Sequence, residues 1–156
     1  MANPEILVTS QLGAPASAVW ERVITPEGIN DEMRPYLRMT LPAGIDQIDP
    51  ENIEIGVPIG RGWILLFGLI PFDYDEVCLA RLEPGRGFLE RSKMLSQRTW
   101  EHERTIEPTA SGCTVTDRVS WQPRLGLPGA PLRPVIGWFF RHRHARLRRH
   151  FGGVAR

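Results

Sequence analysis

The hydrophobic pattern changes period along the chain. Glu5 to Leu12 is mostly apolar or β-compatible and predicts a first strand. After Gly13-Ala14-Pro15, the residues Val19, Trp20, Val23 and Ile24 recur at helical spacing, so 16–24 predicts a short helix with Pro15 suited to its first turn. Thr25-Pro26 has the form of an N-cap and a first helical position, and it starts a second helix that ends near Arg34-Pro35. From there the pattern predicts strands at Tyr36 to Leu41, Gly62 to Ile70, Asp75 to Leu82, Gly87 to Leu95, Gln97 to Ile106 and Cys113 to Gln122. Turn chemistry separates the later ones, at Pro71-Phe72-Asp73, at Glu83 to Gly87 and at Pro108 to Gly112. Residues 42–58 carry Pro42, Gly44, Pro50, Gly56 and Pro58 and predict a long irregular connection. Residues 123–134, with four prolines and two glycines, form a loop. Residues 135–151 are the strongest helix: Ile136, Phe140, Leu147 and Phe151 lie near one stripe, Phe139 sits beside it, and Gly152-Gly153 stops it.

This order predicts an α+β domain over residues 1–156: β-α-α, five or six antiparallel strands, then a long C-terminal helix. A curved antiparallel sheet wrapped round that helix encloses a pocket. Composition agrees. At 156 residues, 42% hydrophobic and 24% charged, the chain is ordinary globular material, not a disordered or fibrous one. The longest apolar run, Trp63 to Pro71, is far short of the roughly 20 residues that cross a bilayer. Met-Ala-Asn-Pro-Glu lacks the features of a secretory leader, which predicts a cytoplasmic protein with no membrane span. Cys78 and Cys113 lack metal or disulfide spacing and read as small buried residues. Charge is segregated. Net charge is +1, but residues 118–156 hold nine arginines and no acid. Such a tail either meets an anionic surface or lies against acidic parts of its own domain.

The segments Ala14-Pro15-Ala16-Ser17-Ala18-Val19-Trp20 and Phe140-Arg141-His142-Arg143-His144, taken with the strand order, resemble the START-like superfamily. That superfamily is also called SRPBCC or birch-pollen-allergen-like. The likeness covers essentially the whole chain and is nearest to the small bacterial polyketide cyclase/dehydrase-like group. It implies the helix-grip fold and a hydrophobic cavity between sheet and C-terminal helix. It also implies a lipid, polyketide, aromatic or other small apolar ligand. No named enzyme motif is matched, and fold does not settle activity.

Strand parity supplies the candidate chemistry. In Gln97 to Ile106 one face shows Trp100, His102, Arg104 and Ile106, and the apolar members mark it as inward. In the next strand Cys113, Val115, Asp117, Val119 and Trp121 share a face. A hairpin that keeps both faces together pairs residues whose numbers sum to 219 or 221. Asp117 then lies opposite His102 in the first case and opposite Arg104 in the second. An unpaired buried carboxylate is costly, so pairing is expected. Glu90 shares a face with Phe88, Ser92 and Met94 and joins as a further candidate. Functionally, His102 oriented by Asp117 would move a proton, and Arg104 would hold a carbonyl, enolate or carboxylate oxygen. Structurally, the same residues form a buried ion pair that fixes register. Trp100, Trp121, Trp63 and Phe140 are the expected walls, and Trp138 lines the pocket or joins the core.

Other features carry less. Ser120 is on the wrong face for a triad with His102 and Asp117, and Cys113 reads as core. His142 and His144 lie about 200° apart on a helix and cannot share a metal. With His150 they read as a solvated or helix-end feature, and Asp73-Tyr74-Asp75-Glu76 reads as a solvated strand end, with cation binding as the alternative. No metal or cofactor is expected. Three functions follow: binding of a small hydrophobic molecule, a metal-free cyclase or dehydratase using His102 and Asp117, or docking of the Arg-rich helix on an anionic surface. Nucleic acid is not expected, because aromatic interleaving is absent.

Overall fold

The computed structural model describes residues 2–45, 51 and 53–153. Strand β1 (Glu5–Leu12) leads into helices α1 (Ala16–Val23) and α2 (Pro26–Met33). The strands that follow are β2 (Leu37–Met39), β3 (Gly60–Leu66), β4 (Ile70–Val77), β5 (Leu79–Glu83), β6 (Gly87–Met94), β7 (Gln97–Thr109) and β8 (Gly112–Pro123). A short 3₁₀ turn at Ala130–Leu132 runs into α3 (Arg133–Phe151). The sheet is antiparallel, in the order β1-β8-β7-β6-β4-β3-β2, with β5 beside β6. It curls round α3, and the whole is the helix-grip α+β fold.

Local chemistry explains the opening. Thr25 caps α2: its Oγ1 accepts from Gly28 N at 3.0 Å and donates to the Arg22 carbonyl at 2.7 Å. Pro26 follows at the first position. Asn30 pins α2 to β2, with its amide donating to Met39 O at 3.0 Å and its oxygen accepting from Met39 N at 2.7 Å. The far end of α3 is tied to β1 through Gly13 N to Gly152 O, 2.8 Å. Leu12, Val19, Val115 and Leu147 pack in a core between α1, the sheet and the end of α3. Val119, Trp121 and Phe140 form a second cluster nearer the start of α3.

Three strand expectations are corrected. The apolar run taken as one strand from Gly62 to Ile70 is a hairpin, because the chain reverses at Phe67-Gly68-Leu69. Phe67 (φ 53°) and Gly68 (φ 73°) are both left-handed there, a turn without polar punctuation. Pro71-Phe72-Asp73, expected as a turn, lies within β4. Pro71 faces Leu65 and Asp73 faces Ile64, so Phe72 is the extra residue of a bulge. Asp75 to Leu82 is interrupted at Cys78, and its halves β4 and β5 pair along the same edge of β6. The irregular 42–58 connection contains no helix or strand among its described residues, and 46–50 and 52 lie outside them.

The junction of α1 and α2 requires Gly28. A Cβ built there falls 1.9 Å from the Arg22 carbonyl oxygen, a backbone atom that cannot step aside alone. Gly28→Ala is therefore expected to lower unfolding free energy by about 1–3 kcal/mol, the usual range for overpacking. Urea denaturation checks this. A midpoint equal to that of the parent protein would contradict it.

Candidate functional site

Strands β7 and β8 pair with Arg104 opposite Asp117 and Trp100 opposite Trp121, the 221 register. Arg104 and Asp117 are 1% and 0% exposed. Arg104 grips two carboxylates at once. Its Nε and Nη2 donate to Asp117 Oδ1 and Oδ2 at 2.8 and 2.7 Å. Its Nη1 and Nη2 donate to Glu32 Oε2 and Oε1 at 2.9 and 2.7 Å. Both pairs are bidentate, the geometry a planar guanidinium favours. Asp117 also accepts from His102 Nε2 and His144 Nε2, each at 2.8 Å. Each Asp117 oxygen thus receives two hydrogen bonds and its capacity is full.

Glu32 and His144 complete this network, and neither was a sequence candidate for it. Glu32 lies one helical turn beyond Gly28 on the buried side of α2, and Arg143 of α3 also bonds it, its Nε donating to Oε1 at 3.2 Å. The available signal was Asp31-Glu32 beside the apolar pair Ile29 and Met33, which turns one acid inward. His144, expected at a solvated helix end, is 0% exposed. Ser10 Oγ accepts from Arg148 at 2.7 Å and lies 2.8 Å from His144 Nδ1. Satisfying every group makes Ser10 the donor to Nδ1 and leaves Nε2–H for Asp117, a tautomer assigned from its partners. His142 bonds the Arg34 carbonyl at 2.7 Å, and only His150 matches the solvated expectation.

Electrostatics follow from this packing. Burial alone would push both carboxyls up. The Arg104 and Arg143 guanidiniums override it and hold Glu32 below its ordinary value. Arg104 and His102 hold Asp117 well below its own. The two carboxylates raise Arg104 further, against its own desolvation.

A cavity of about 490 Å³ lies between the sheet and α3. His102, Arg104, Glu90, Trp100 and Phe140 line it, and Trp138 stands half-exposed at its edge. The His102 ring meets Phe140 and Phe88 edge-on at 5.1 and 5.3 Å. Its Nδ1 has no hydrogen bond among the described residues, so it retains the capacity to exchange a proton with a bound molecule. Three expectations are corrected. Asp117 sits behind Arg104 and His102 and does not line the cavity. Trp121, 0% exposed, is core, with its N–H on the Gly129 carbonyl at 2.9 Å. Trp63 is 44% exposed and stacks edge-on against Tyr74, away from the cavity, because Ile64 and Leu66 take the inward face of β3 and alternation puts Trp63 on the other. Cys113 is core as expected, and burial pushes its thiol up.

The run Asp73-Tyr74-Asp75-Glu76 is not a solvated strand end. Asp73 and Asp75 are buried and line the cavity beside Glu90. Burial, and then the Glu90 charge, push the Asp75 carboxyl well above its ordinary value. Glu90 faces inward with Phe88, Ser92 and Met94, all three of them buried, and accepts from Ser92 Oγ at 2.8 Å. No group of three or more His, Cys, Asp or Glu among the described residues is placed to hold a metal ion. No described helix is long and apolar enough to cross a membrane.

A family model described as "Domain of unknown function (DUF8410)" matches residues 10–151. No curated protein matches the chain. Among solved structures, a START superfamily protein from Mycobacterium smegmatis is similar at 10% identity and TM-score 0.67, over 94% of this chain and 96% of that one. Ara h 8.0201 is similar at 6% identity and TM-score 0.67, over 96% and 98%. Protein CV1439 from Chromobacterium violaceum is similar at 14% identity and TM-score 0.65, over 92% and 96%. The fold is therefore START-like, as the sequence resemblance implied.

Two outcomes test the electrostatics. Asp117→Ala removes the acceptor of four hydrogen bonds and leaves buried charge uncompensated. It is expected to cost about 3–5 kcal/mol in urea denaturation, the range for breaking a buried pair. Glu32 and Asp117 titrate below 4.5 and 3.8 in the folded chain, so their stabilisation is complete above those values and is lost as pH falls through the lower folded ones. Asp75 has the opposite sign. Its folded value lies above 3.8, so stability is lost as pH rises from there through that value. Asp75→Asn should unfold near the parent midpoint at pH 4 and at a higher denaturant concentration at pH 8. A constant difference across that range would refute the assignment.

Proposed function

The chain belongs to the DUF8410 family, and we propose that it binds a small, largely hydrophobic molecule in the cavity between the sheet and α3. The cavity itself carries this reading. Its volume of about 490 Å³ falls in the range of small-molecule sites, roughly 300–1,000 Å³. Its walls are mostly apolar side chains from all three helices and from the sheet, Met33, Ile64, Phe88 and Phe140 among them. Phe67, Phe72, Val135 and Trp138 line it while remaining substantially exposed, so an apolar molecule meets an apolar entrance. The resemblance to START-like proteins implies the same class of ligand.

The polar residues divide in this reading. Arg104 and Asp117 are spent on one another, on Glu32 and on the two histidines, so they hold the wall and leave little for a ligand oxygen. His102 keeps one free ring nitrogen on the cavity and is the member of the expected triad that contacts the ligand. Glu90, Trp100 and Phe140 complete the contact set.

The test is the neutral apolar dye N-phenyl-1-naphthylamine, followed by fluorescence, together with Leu66→Trp, which places an indole on the half-buried cavity wall. Saturable one-to-one binding by the parent protein is expected, with affinity reduced at least tenfold in the variant. A parent protein that does not bind the dye, or a folded variant that binds it equally well, would overturn the proposal.

A further inference from the structure

The two ends of the cavity differ in charge balance. At one end Arg104 and Arg143 face Glu32 and Asp117, two cations against two anions. At the other end β4 and β6 present Asp73, Asp75 and Glu90, and none of the three forms an ion pair with a cation among the described residues. Asp73 accepts from Tyr74 N at 2.8 Å, Ser96 N at 3.2 Å and the Ser96 hydroxyl, all uncharged donors. Glu90 accepts from the Ser92 hydroxyl and lies against Asp75.

A second observation at the same place comes from a residue that is not an acid. Gln97 lines the cavity and is 7% exposed. Its NH₂ donates to Ser96 Oγ at 3.3 Å, and Ser96 donates in turn to Asp73, which fixes the amide orientation. The Gln97 carbonyl oxygen Oε1 is then left buried without a donor among the described residues. A buried acceptor without a partner is costly and marks a place where a donor is missing.

We propose that this end of the cavity receives the ammonium group of an amphiphilic amine, whose hydrocarbon or aromatic body lies along the apolar walls. The assignment rests on the reading of the cavity as a ligand site and names the ligand's polar group. An ammonium supplies both missing elements, a positive charge for the carboxyl cluster and up to three donors for Glu90, Asp73 or Asp75, and the Gln97 oxygen. A neutral alcohol brings one donor and no charge. A carboxylate ligand would meet like charge, and the two guanidiniums that could have attracted it are already committed. A metal ion is a poor occupant, because the described carboxyls are not grouped for coordination.

Calorimetric titration with decylammonium, decanol and decanoate, each below its micelle concentration, separates these cases at constant chain length. Decylammonium should bind at least tenfold more tightly than decanol, and decanoate more weakly still. Glu90→Gln should bring the decylammonium-to-decanol affinity ratio down to about one, and Asp75→Asn, a near-isosteric change, gives the same readout if the first variant folds poorly. Glu101→Gln, on the outer face of β7, should preserve the preference and so exclude surface attraction. Decanoate binding as tightly as decylammonium, or a preference untouched in both cavity variants, overturns the amine assignment while the cavity reading stands. Failure of all three compounds and of the neutral dye overturns both.

Discussion

Arg104 holds the architecture in place. One side chain, 1% exposed, grips Asp117 on β8 and Glu32 on α2. Asp117 passes the connection to α3 through His144, and Glu32 does the same through Arg143. A sheet wall and both helical layers therefore meet at one guanidinium. Desolvating these groups is expensive, and an apolar replacement of equal shape could be as stable overall. What the ions add is geometry. A bidentate clamp at both ends admits one register of β7 against β8 and one placement of α2, where apolar packing would tolerate several.

Compensation at that end has a consequence for the rest of the interior. Two guanidiniums and two carboxylates cancel, and the histidines are spent on the same anion. The arginine that strand parity singles out as a ligand anchor lines the cavity with its guanidinium already committed to two carboxylates. The polar capacity left over lies elsewhere, on Glu90, Asp73, Asp75 and Gln97 of the cavity lining and on the outer nitrogen of His102. The cavity is polarised. One end is electrically finished by the fold, and the other holds carboxyl groups that no cation among the described residues completes.

Much of this was legible in the chain itself. Alternation along Trp100 to Ile106 and Cys113 to Trp121 identified the inward faces, because the side-chain period of two leaves no intermediate choice. It limited the pairing to two registers, and the clamp selects between them. Glu32 and His144 were harder to see. Each sits on a helix whose polar and apolar positions are mixed, and α3 carries so many arginines and histidines that no single position stands out. Trp63 failed for a local reason. The apolar run around it has no polar residue at its turn, so the reversal at Phe67-Gly68 was hidden, and a continuously apolar strand offers no alternation from which to read its inward face. Asp73 and Asp75 were missed with it, since they share the inward face of β4 with Val77 and the hairpin that sets β4 against the cavity was not seen.

The charge segregation of the sequence finds its explanation in the packing of α2 on α3. Arg143 bonds Glu32, Arg146 bonds both the side chain and the carbonyl of Asp31, and Arg148 reaches Ser10. Asp31 responds as a paired carboxyl should. Burial raises it, Arg146 and Arg22 lower it, and the second effect wins. One side of the arginine-rich helix is thus matched to an acidic partner within the chain, and Arg141 and Arg149 point to solvent. A docking surface for anions needs cations free on one face, whereas here those facing α2 are consumed by it. Part of the positive charge of the last 39 residues is therefore matched by α2 within the chain, through Arg143 and Arg146.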